Sequence, residues 1–139
     1  VAEVQTPSDT TFRVYDWAKE YGRKGRELHV TQTLACTDLG PAPALTRLKP
    51  GESAARLVTT EFFHVDEWRI PAGETRSLAA QPPRAHAVMI LRGSATLASA
   101  GTDPLALRSG NTLLIPAALL PSASLKASTD LTLLIVDVQ

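Results

Sequence analysis

Short apolar runs separated by turn residues fill the chain from Leu57 to its end. The stretch LVTTEFFHVDEWRI alternates between apolar and polar residues, which predicts one long strand or two. Six shorter runs follow it: HAVMILRG, SATLASAG, PLALRSG, NTLLIPA, SASLKAS and LTLLIVDV. The apolar spacing of three and four that marks a helix is absent from this region. We therefore predict an all-β region built as an antiparallel sandwich or barrel.

Composition limits the partners and the compartment. The 14 basic and 14 acidic side chains of the 139-residue chain cancel, so we expect neither nucleic acid nor a membrane as a partner. The most apolar run, LLIPAALLP, is too short to span a bilayer. Cys36 is the single cysteine, which excludes an internal disulfide and suits a reducing compartment. No signal peptide is visible, and we expect a cytoplasmic protein.

Three segments differ in character. Residues 1–39 are polar and hold most of the aromatic residues, and we expect one or two strands there and a short helix around Val30 to Asp38. Residues 40–56 are rich in Pro and Gly, which is typical of a linker. Residues 57–139 contain the apolar runs. A length of 139 residues fits one domain with a leading segment.

The predicted barrel resembles a cupin, the small jelly-roll fold. GNTLLIP, from Gly110 to Pro116, fits the spacing of Gly, five residues and Pro that opens the second cupin motif. VMILRG looks like the strand and glycine that close the first motif. We expect Gly93 to occupy a tight turn in which a positive φ is tolerated.

Metal-binding cupins supply a His-x-His pair and a Glu from the first motif and another His from the second. The pair is missing here. His86 falls about where the Glu would be, and Pro121 falls where the second-motif His would be. A lone imidazole cannot hold a divalent ion against water, so we predict no metal in this degenerate barrel. His86 and His64 are then expected to be rim or core residues.

The opening segment carries a second resemblance. AEVQTPSDTTFRVYDW, followed by GRELHV and a degenerate cupin, is similar to the C-terminal part of type I mannose-6-phosphate isomerases in their bacterial form. The spacing of Glu3, Ser8, Asp9 and Arg13 beside Tyr-Asp-Trp is its most specific element. The resemblance implies an enzyme that interconverts mannose 6-phosphate and fructose 6-phosphate, with a sugar phosphate as substrate and zinc as cofactor.

The same resemblance implies catalytic residues. Arg13 is implied as the arginine that stabilises the oxyanion of the enediolate, because a guanidinium keeps its charge at any working pH. Glu3 is implied as a carboxylate lining the same pocket, and Asp9 as a group that fixes Arg13. The structural alternative is that Arg13 forms an ion pair with Asp9 or Asp16 that only ties down the segment.

Other positions are less specific. Lys19 falls where relatives place a basic residue that binds substrate, although an ordinary solvated lysine is an equal alternative. Ser8 and Asp9 could instead cap a local turn. His29 in RELHV recurs in the bacterial pattern, and a packing role explains it equally well.

The zinc ligands of this family are a Gln or His, a His, a Glu and a further His, all from sequence before Glu3. We therefore expect the zinc site upstream of Val1 and no metal site in this chain, whose three scattered His lack ligand spacing. The chain also starts with Val1 rather than Met. We expect the C-terminal piece of a longer enzyme, inactive alone, in which residues 1–39 form an active-site strand and loop of the catalytic cupin.

Two alternatives remain open. The first is a non-catalytic cupin module that binds a sugar phosphate or forms a homodimer through a sheet edge. The second is a small epimerase or isomerase that works without metal and uses His64 or His86 as general base.

Overall fold

The computed structural model describes residues 2–7, 10–42, 44–80 and 82–138. The chain divides into two compact units, residues 1–43 and residues 44–139. Within its described residues, the first unit holds a 3-10 helix, Trp17–Lys19, and one α-helix, α1, at Val30–Cys36. The short helix expected in this segment is thus confirmed.

The one or two strands expected in the first unit are not formed by its described residues. A strand requires a neighbour to accept and donate a ladder of main-chain hydrogen bonds. Among the described residues, the main chain of Arg13 bonds to another main-chain segment only at His29, whose amide donates to the Arg13 carbonyl oxygen at 2.7 Å. This single main-chain bond does not make a ladder, so the chain on either side stays irregular.

The described residues of the second unit form nine strands, and the pairings between these strands are antiparallel. They are β1 Ala54–Thr59, β2 Phe63–Ile70, β3 Thr75–Ser77, β4 His86–Arg92, β5 Ser94–Ala98, β6 Leu105–Arg108, β7 Thr112–Ile115, β8 Ser124–Ala127 and β9 Leu131–Val138. One sheet has the order β1-β2-β9-β4-β7, and the other has the order β3-β8-β5-β6. The predicted all-β architecture is confirmed as two sheets that do not merge into one closed barrel.

Apolar side chains that point to one face of the strands form the core between the two sheets. Val88 and Ile90 on β4 and Leu133 and Ile135 on β9 point to the same side and are buried. Leu125 on β8 faces them from the other sheet and has no exposed surface. Each fully buried side chain of this size stabilises the fold by roughly 1.5–3 kcal/mol.

Gly93 connects β4 directly to β5. Its φ is +87°, which confirms the tight turn expected from the sequence. A Cβ at this position would collide with the main-chain carbonyl of Asp130. The turn therefore needs glycine for both its conformation and its close approach to the chain before β9.

Candidate functional site

Arg13 is held through both its main chain and its side chain. Its amide donates to Nδ1 of His29 at 3.3 Å, and its guanidinium Nη1 donates to the carbonyl oxygen of Glu27 at 3.3 Å. Within the described residues no carboxylate forms an ion pair with this partly buried side chain. The positive charge of Arg13 is therefore not neutralised by a described neighbour.

His29 does more than pack. Its Nδ1 accepts the Arg13 amide while its own amide donates to the Arg13 carbonyl oxygen, so the two residues are joined by reciprocal bonds. An acceptor at Nδ1 requires the tautomer with its proton on Nε2. The Phe12 ring lies with its centroid 6.1 Å from that of His29. His29 is thus a positioning residue for the Arg13 main chain.

Asp16 organises the loop that follows Arg13, a role that we did not predict. Its side chain is only 6% exposed, and it accepts hydrogen bonds from the Ala18 amide at 3.0 Å and the Arg26 amide at 2.7 Å. Nε of Arg26 donates to the same carboxylate at 3.1 Å. Hydrogen bonds from the Arg26 side chain, followed by those from the two amides, hold the pKa of Asp16 far below its ordinary value.

The ion pair of Asp16 and Arg13 that we considered from the sequence is therefore wrong, because Asp16 pairs with Arg26. The sequence does hold a signal for this role. An Asp two residues before Ala18 has the spacing at which a carboxylate caps a tight turn. Its partner, Arg26, lies ten residues away, and no local pattern identifies it.

Within its described part, the structure does not connect the other predicted site residues of this unit to Arg13. Glu3 is exposed, and no hydrogen bond or ion pair joins it to Arg13 in the described part of the chain. Ser8 and Asp9 lie outside the described residues. Lys19 ends the 3-10 helix, but its side chain is not among the groups that the structure describes.

A cleft of about 420 Å³ opens beside the 3-10 helix. Cationic side chains suit a phosphate group, and aromatic faces suit the apolar side of a sugar ring. The cleft combines both kinds of group in its lining of Asp16, Trp17, Ala18, Tyr21, Arg23, Lys24 and Arg26.

The two histidines of the second unit lie on one row of the first sheet. The register places His64 opposite Asp137 on β9, and Asp137 opposite His86 on β4. Nε2 of His86 is 3.7 Å from Oδ1 of Asp137. Burial lowers the pKa of His86, against the opposing effect of the carboxylates of Asp137 and Asp66.

Among the described residues, no three His, Cys, Asp or Glu side chains come together as a group that could hold a metal ion. None of the described helices combines the length and the hydropathy that crossing a membrane requires. Cys36 is exposed and is not part of a disulfide.

Comparison with known proteins supports both resemblances seen in the sequence. No family model matches the chain. A mannose-6-phosphate isomerase of Streptococcus mutans serotype c is 35% identical over 122 residues, which is 84% of this chain and 37% of that protein. The chain therefore spans well under half the length of this curated relative.

Solved structures show the fold. Mannose 6-phosphate isomerase from Bacillus subtilis superposes with a TM-score of 0.68 and 22% identity, over 93% of this chain and 40% of that chain. An RmlC-like cupin with a double-stranded β-helix fold from Methanocaldococcus jannaschii has a TM-score of 0.57 and 18% identity, over 71% of this chain and 93% of that chain. The chain thus has a cupin fold and is related, over most of its own length, to part of a mannose-6-phosphate isomerase.

Proposed function

We propose that this chain is the C-terminal part of a zinc-dependent mannose-6-phosphate isomerase and that it supplies the catalytic arginine, Arg13. The 35% identity to the Streptococcus mutans enzyme is the observation that carries this proposal. The geometry of Arg13 supports it, since a cation without a described carboxylate partner remains available to a negatively charged substrate.

The isomerisation moves a proton between C2 and C1 of the opened sugar and places negative charge on the oxygens of the enediolate. A fixed guanidinium beside those oxygens stabilises the transition state more than the neutral carbonyl compound. In our proposal Arg13 has this role, His29 fixes the Arg13 main chain, and Glu3 lines the same pocket. Trp17, Arg23 and Lys24 offer the sugar phosphate an aromatic and cationic cleft.

Zinc polarises substrate oxygens when it is bound in an isomerase of this kind. The described residues of this chain do not fit the ion. His29 is engaged with Arg13, His86 lies beside Asp137, and no described group of three ligands converges. We propose that the ligands come from the rest of the enzyme, so that this chain alone is inactive.

The exposed apolar surface of the first unit supports a role within a larger protein. Trp17 is 61% exposed and Tyr21 is 70% exposed, and none of the described side chains of α1 is buried. A seven-residue helix without a buried face is not stable through local bonds alone. We propose that this surface packs against the remainder of the isomerase, with residues 1–39 serving as part of the catalytic cupin.

The free, exposed Cys36 is compatible with a reducing compartment, and on that basis we propose a cytoplasmic enzyme.

The experiment compares the intact gene product with the 139-residue chain in an assay for fructose 6-phosphate formed from mannose 6-phosphate. We expect activity only in the intact protein, its loss on treatment with a chelator, and its return when zinc is added. An intact protein that is inactive in the presence of zinc would exclude the isomerase. Full activity after chelation would exclude the metal dependence.

A second candidate function is a non-catalytic cupin module that binds a sugar phosphate or forms a homodimer. The Methanocaldococcus jannaschii cupin favours it, because 93% of that chain superposes on part of this one. The gene sequence around and upstream of Val1 distinguishes the two proposals. A start codon near Val1 would support the module, and an upstream segment with zinc-ligand spacing would support the enzyme.

A further inference from the structure

β6 and β7 are neighbours in sequence but lie in different sheets. β6 is an end strand of the second sheet, β7 is an end strand of the first, and only residues 109–111 connect them. In the described part of the chain, no main-chain pairing joins the two strands. The two sheets are therefore not joined along β6 and β7. We call the space between these strands the β6–β7 gap.

A cavity of about 240 Å³ lies at the end of the β6–β7 gap that is farther from this connection. Its lining includes Leu105, which begins β6, and Ile115, which ends β7. Leu97 of β5 and Leu113 of β7 also line it, so its walls come from both sheets. A cavity of roughly 150 Å³ holds a benzene molecule. The cavity in the β6–β7 gap therefore has room for a Leu, Ile or Phe side chain.

Every second residue of β7 directs its main-chain groups away from β4. The Ile90 amide on β4 donates to the carbonyl oxygen of Asn111, just before β7, at 2.9 Å. Along an antiparallel strand, the N–H and C=O groups of alternate residues point to the same neighbour. The main-chain groups of Leu113 therefore point to β4, and those of Leu114 point to the open edge of β7.

β7 lacks the side chains that often protect the last strand of a sheet. Lysine and other charged side chains, or a proline within the strand, discourage pairing with another chain. The sequence of β7 is TLLI, and its Leu114 is 66% exposed. An uncharged, apolar end strand of this kind is a template for a further strand.

A strand added to β7 would also fill the cavity. A residue opposite Leu114 would exchange both main-chain hydrogen bonds with it. The two neighbours of that residue would point to the face on which Leu113 and Ile115 lie, because alternate side chains of a strand point to opposite faces. Leu113 and Ile115 line the cavity, so apolar side chains at these positions would face it.

The charge of the lining favours a basic partner. Asp103 is the only charged residue among those that line the cavity. No described residue forms an ion pair with its carboxylate. A Lys or Arg of an added strand would supply that pair. A second copy of β7 would not, since TLLI contains no basic residue.

We propose that the β6–β7 gap binds an extended segment of another protein, which adds to the open edge of β7 and carries apolar side chains and a Lys or Arg. An apolar side chain occupies the cavity, and the basic side chain pairs with Asp103. This surface lies in the second unit and does not rest on the isomerase proposal. Failure of either proposal leaves the other intact.

The test is an NMR titration of the complete, ¹⁵N-labelled 139-residue chain with the peptide acetyl-KTLTLTK-amide. The central Thr of this peptide can pair with Leu114, its two Leu then face the cavity, and a Lys lies at each end. We expect saturable shifts of the Leu114 amide, and the same binding by the intact gene product. The peptide N-methylated at its central Thr keeps its side chains and charge but loses one main-chain donor. It should bind about fivefold more weakly, or worse.

The ion pair is tested with a variant and a second peptide. Asp103→Asn keeps the size of the side chain and should weaken binding of the basic peptide about twofold to fivefold. Acetyl-ETLTLTE-amide should bind the wild-type chain more weakly than the basic peptide does. Asp130→Asn is the matched control, because Asp130 lies beside Gly93, at the opposite end of β5 from Leu97. It should leave binding unchanged.

Four results would overturn the proposal. The first is the absence of a saturable shift of the Leu114 amide with the basic peptide. The second is equal binding of the N-methylated peptide and its parent. The third is equal or tighter binding of the acidic peptide, which decides the role of charge even if Asp103→Asn does not fold. The fourth is a loss of binding in the intact gene product, which would assign the β6–β7 gap to the rest of that protein.

Discussion

The main chain of Arg13 is fixed by a histidine sixteen residues further along the sequence: the Arg13 amide donates to Nδ1 of His29, and the His29 amide donates to the Arg13 carbonyl oxygen. The two hydrogen bonds therefore involve the imidazole of His29 and the main chains of both residues. His29 also directly precedes α1, so the start of that helix is connected to the proposed catalytic arginine.

Replacing His29 with Leu removes the acceptor of the Arg13 amide. We expect hydrogen exchange at that amide to become about fivefold faster, because a net hydrogen bond is worth about 1 kcal/mol. Exchange measured by NMR on the 139-residue chain provides the rate. Thr33→Val is the control, since the Thr33 hydroxyl donates to the His29 carbonyl oxygen and not to Arg13. An unchanged Arg13 amide in His29→Leu would show that the imidazole does not position Arg13.

The Asp16 carboxylate should stay ionised to a lower pH than an ordinary aspartate does. Its pKa in the folded chain lies below the ordinary value of 3.8, so its pairing with Arg26 stabilises the loop above that pH and is lost only as the pH falls through the lowered value. We expect the carboxyl ¹³C shift of Asp16 to titrate well below 3.8, as long as the loop stays folded. Titration at the ordinary value would contradict the contacts described here.

Asp16→Asn should loosen the same loop. The amide group keeps one acceptor but loses the charge, so exchange at the amides of Ala18 and Arg26 should speed up. Asp38→Asn is the matched control in the same unit, because the Asp38 carboxylate accepts a hydrogen bond from the Gly40 amide in an exposed turn and has no part in the loop of Asp16. Equal exchange rates of the Ala18 and Arg26 amides in the Asp16→Asn and Asp38→Asn chains would show that the Asp16 carboxylate does not hold this loop together.

Acid should weaken the second unit through His86. Burial lowers the pKa of His86 in the folded state below its ordinary value of 6.5. The unfolded chain then takes up a proton at a higher pH than the folded chain does. Stability is complete above about 6.5 and falls as the pH decreases, by at most about 1.4 kcal/mol per pH unit for one proton.

Urea unfolding of the chain at several pH values between neutral and mildly acidic provides the slope. Asp137 on the neighbouring strand β9 and Asp66 on β2, one strand further away, both oppose the effect of burial. In His86→Leu we expect a flatter dependence of the unfolding free energy on pH. The same slope in the wild-type and His86→Leu chains would assign the acid sensitivity to other residues.

Gly93→Ala should destabilise the second unit by about 2 kcal/mol or more. The substitution adds the strain of a positive φ to a collision with the Asp130 carbonyl. Gly101→Ala is the matched control: its φ is +76°, but no atom lies within 4 Å of the added Cβ. We expect the control to lose about 1 kcal/mol in urea unfolding, from strain alone. Equal losses would mean that the contact at Asp130 is relieved by a small shift.

Most strands of the second unit could be predicted because they are short apolar runs bounded by turn residues. In LTLLIVDV, residues two apart lie on the same face of the strand. Asp137 therefore shares a face with the buried side chains of Leu133 and Ile135. β3, at Thr75–Ser77, escaped prediction because three residues are too few to show a period.

The first unit was less predictable. Its order depends on polar contacts such as those of Asp16 with Arg26, and such pairs between distant residues leave no periodic trace in a sequence. The helix at Val30–Cys36 was found, but its exposed surface could not be inferred without coordinates. The resemblance to the isomerases indicated Arg13, whereas only the structure revealed its bond to His29.

The most direct test of the account is the kcat/KM of the intact, zinc-loaded protein for mannose 6-phosphate with Arg13 replaced by Ala. Loss of a cation that stabilises the transition state should lower kcat/KM by about a hundredfold or more. Arg108→Ala changes an exposed arginine of β6 that has no part in the proposed site, and it should have a much smaller effect. An Arg13→Ala enzyme that retains the wild-type kcat/KM would contradict the role proposed for Arg13.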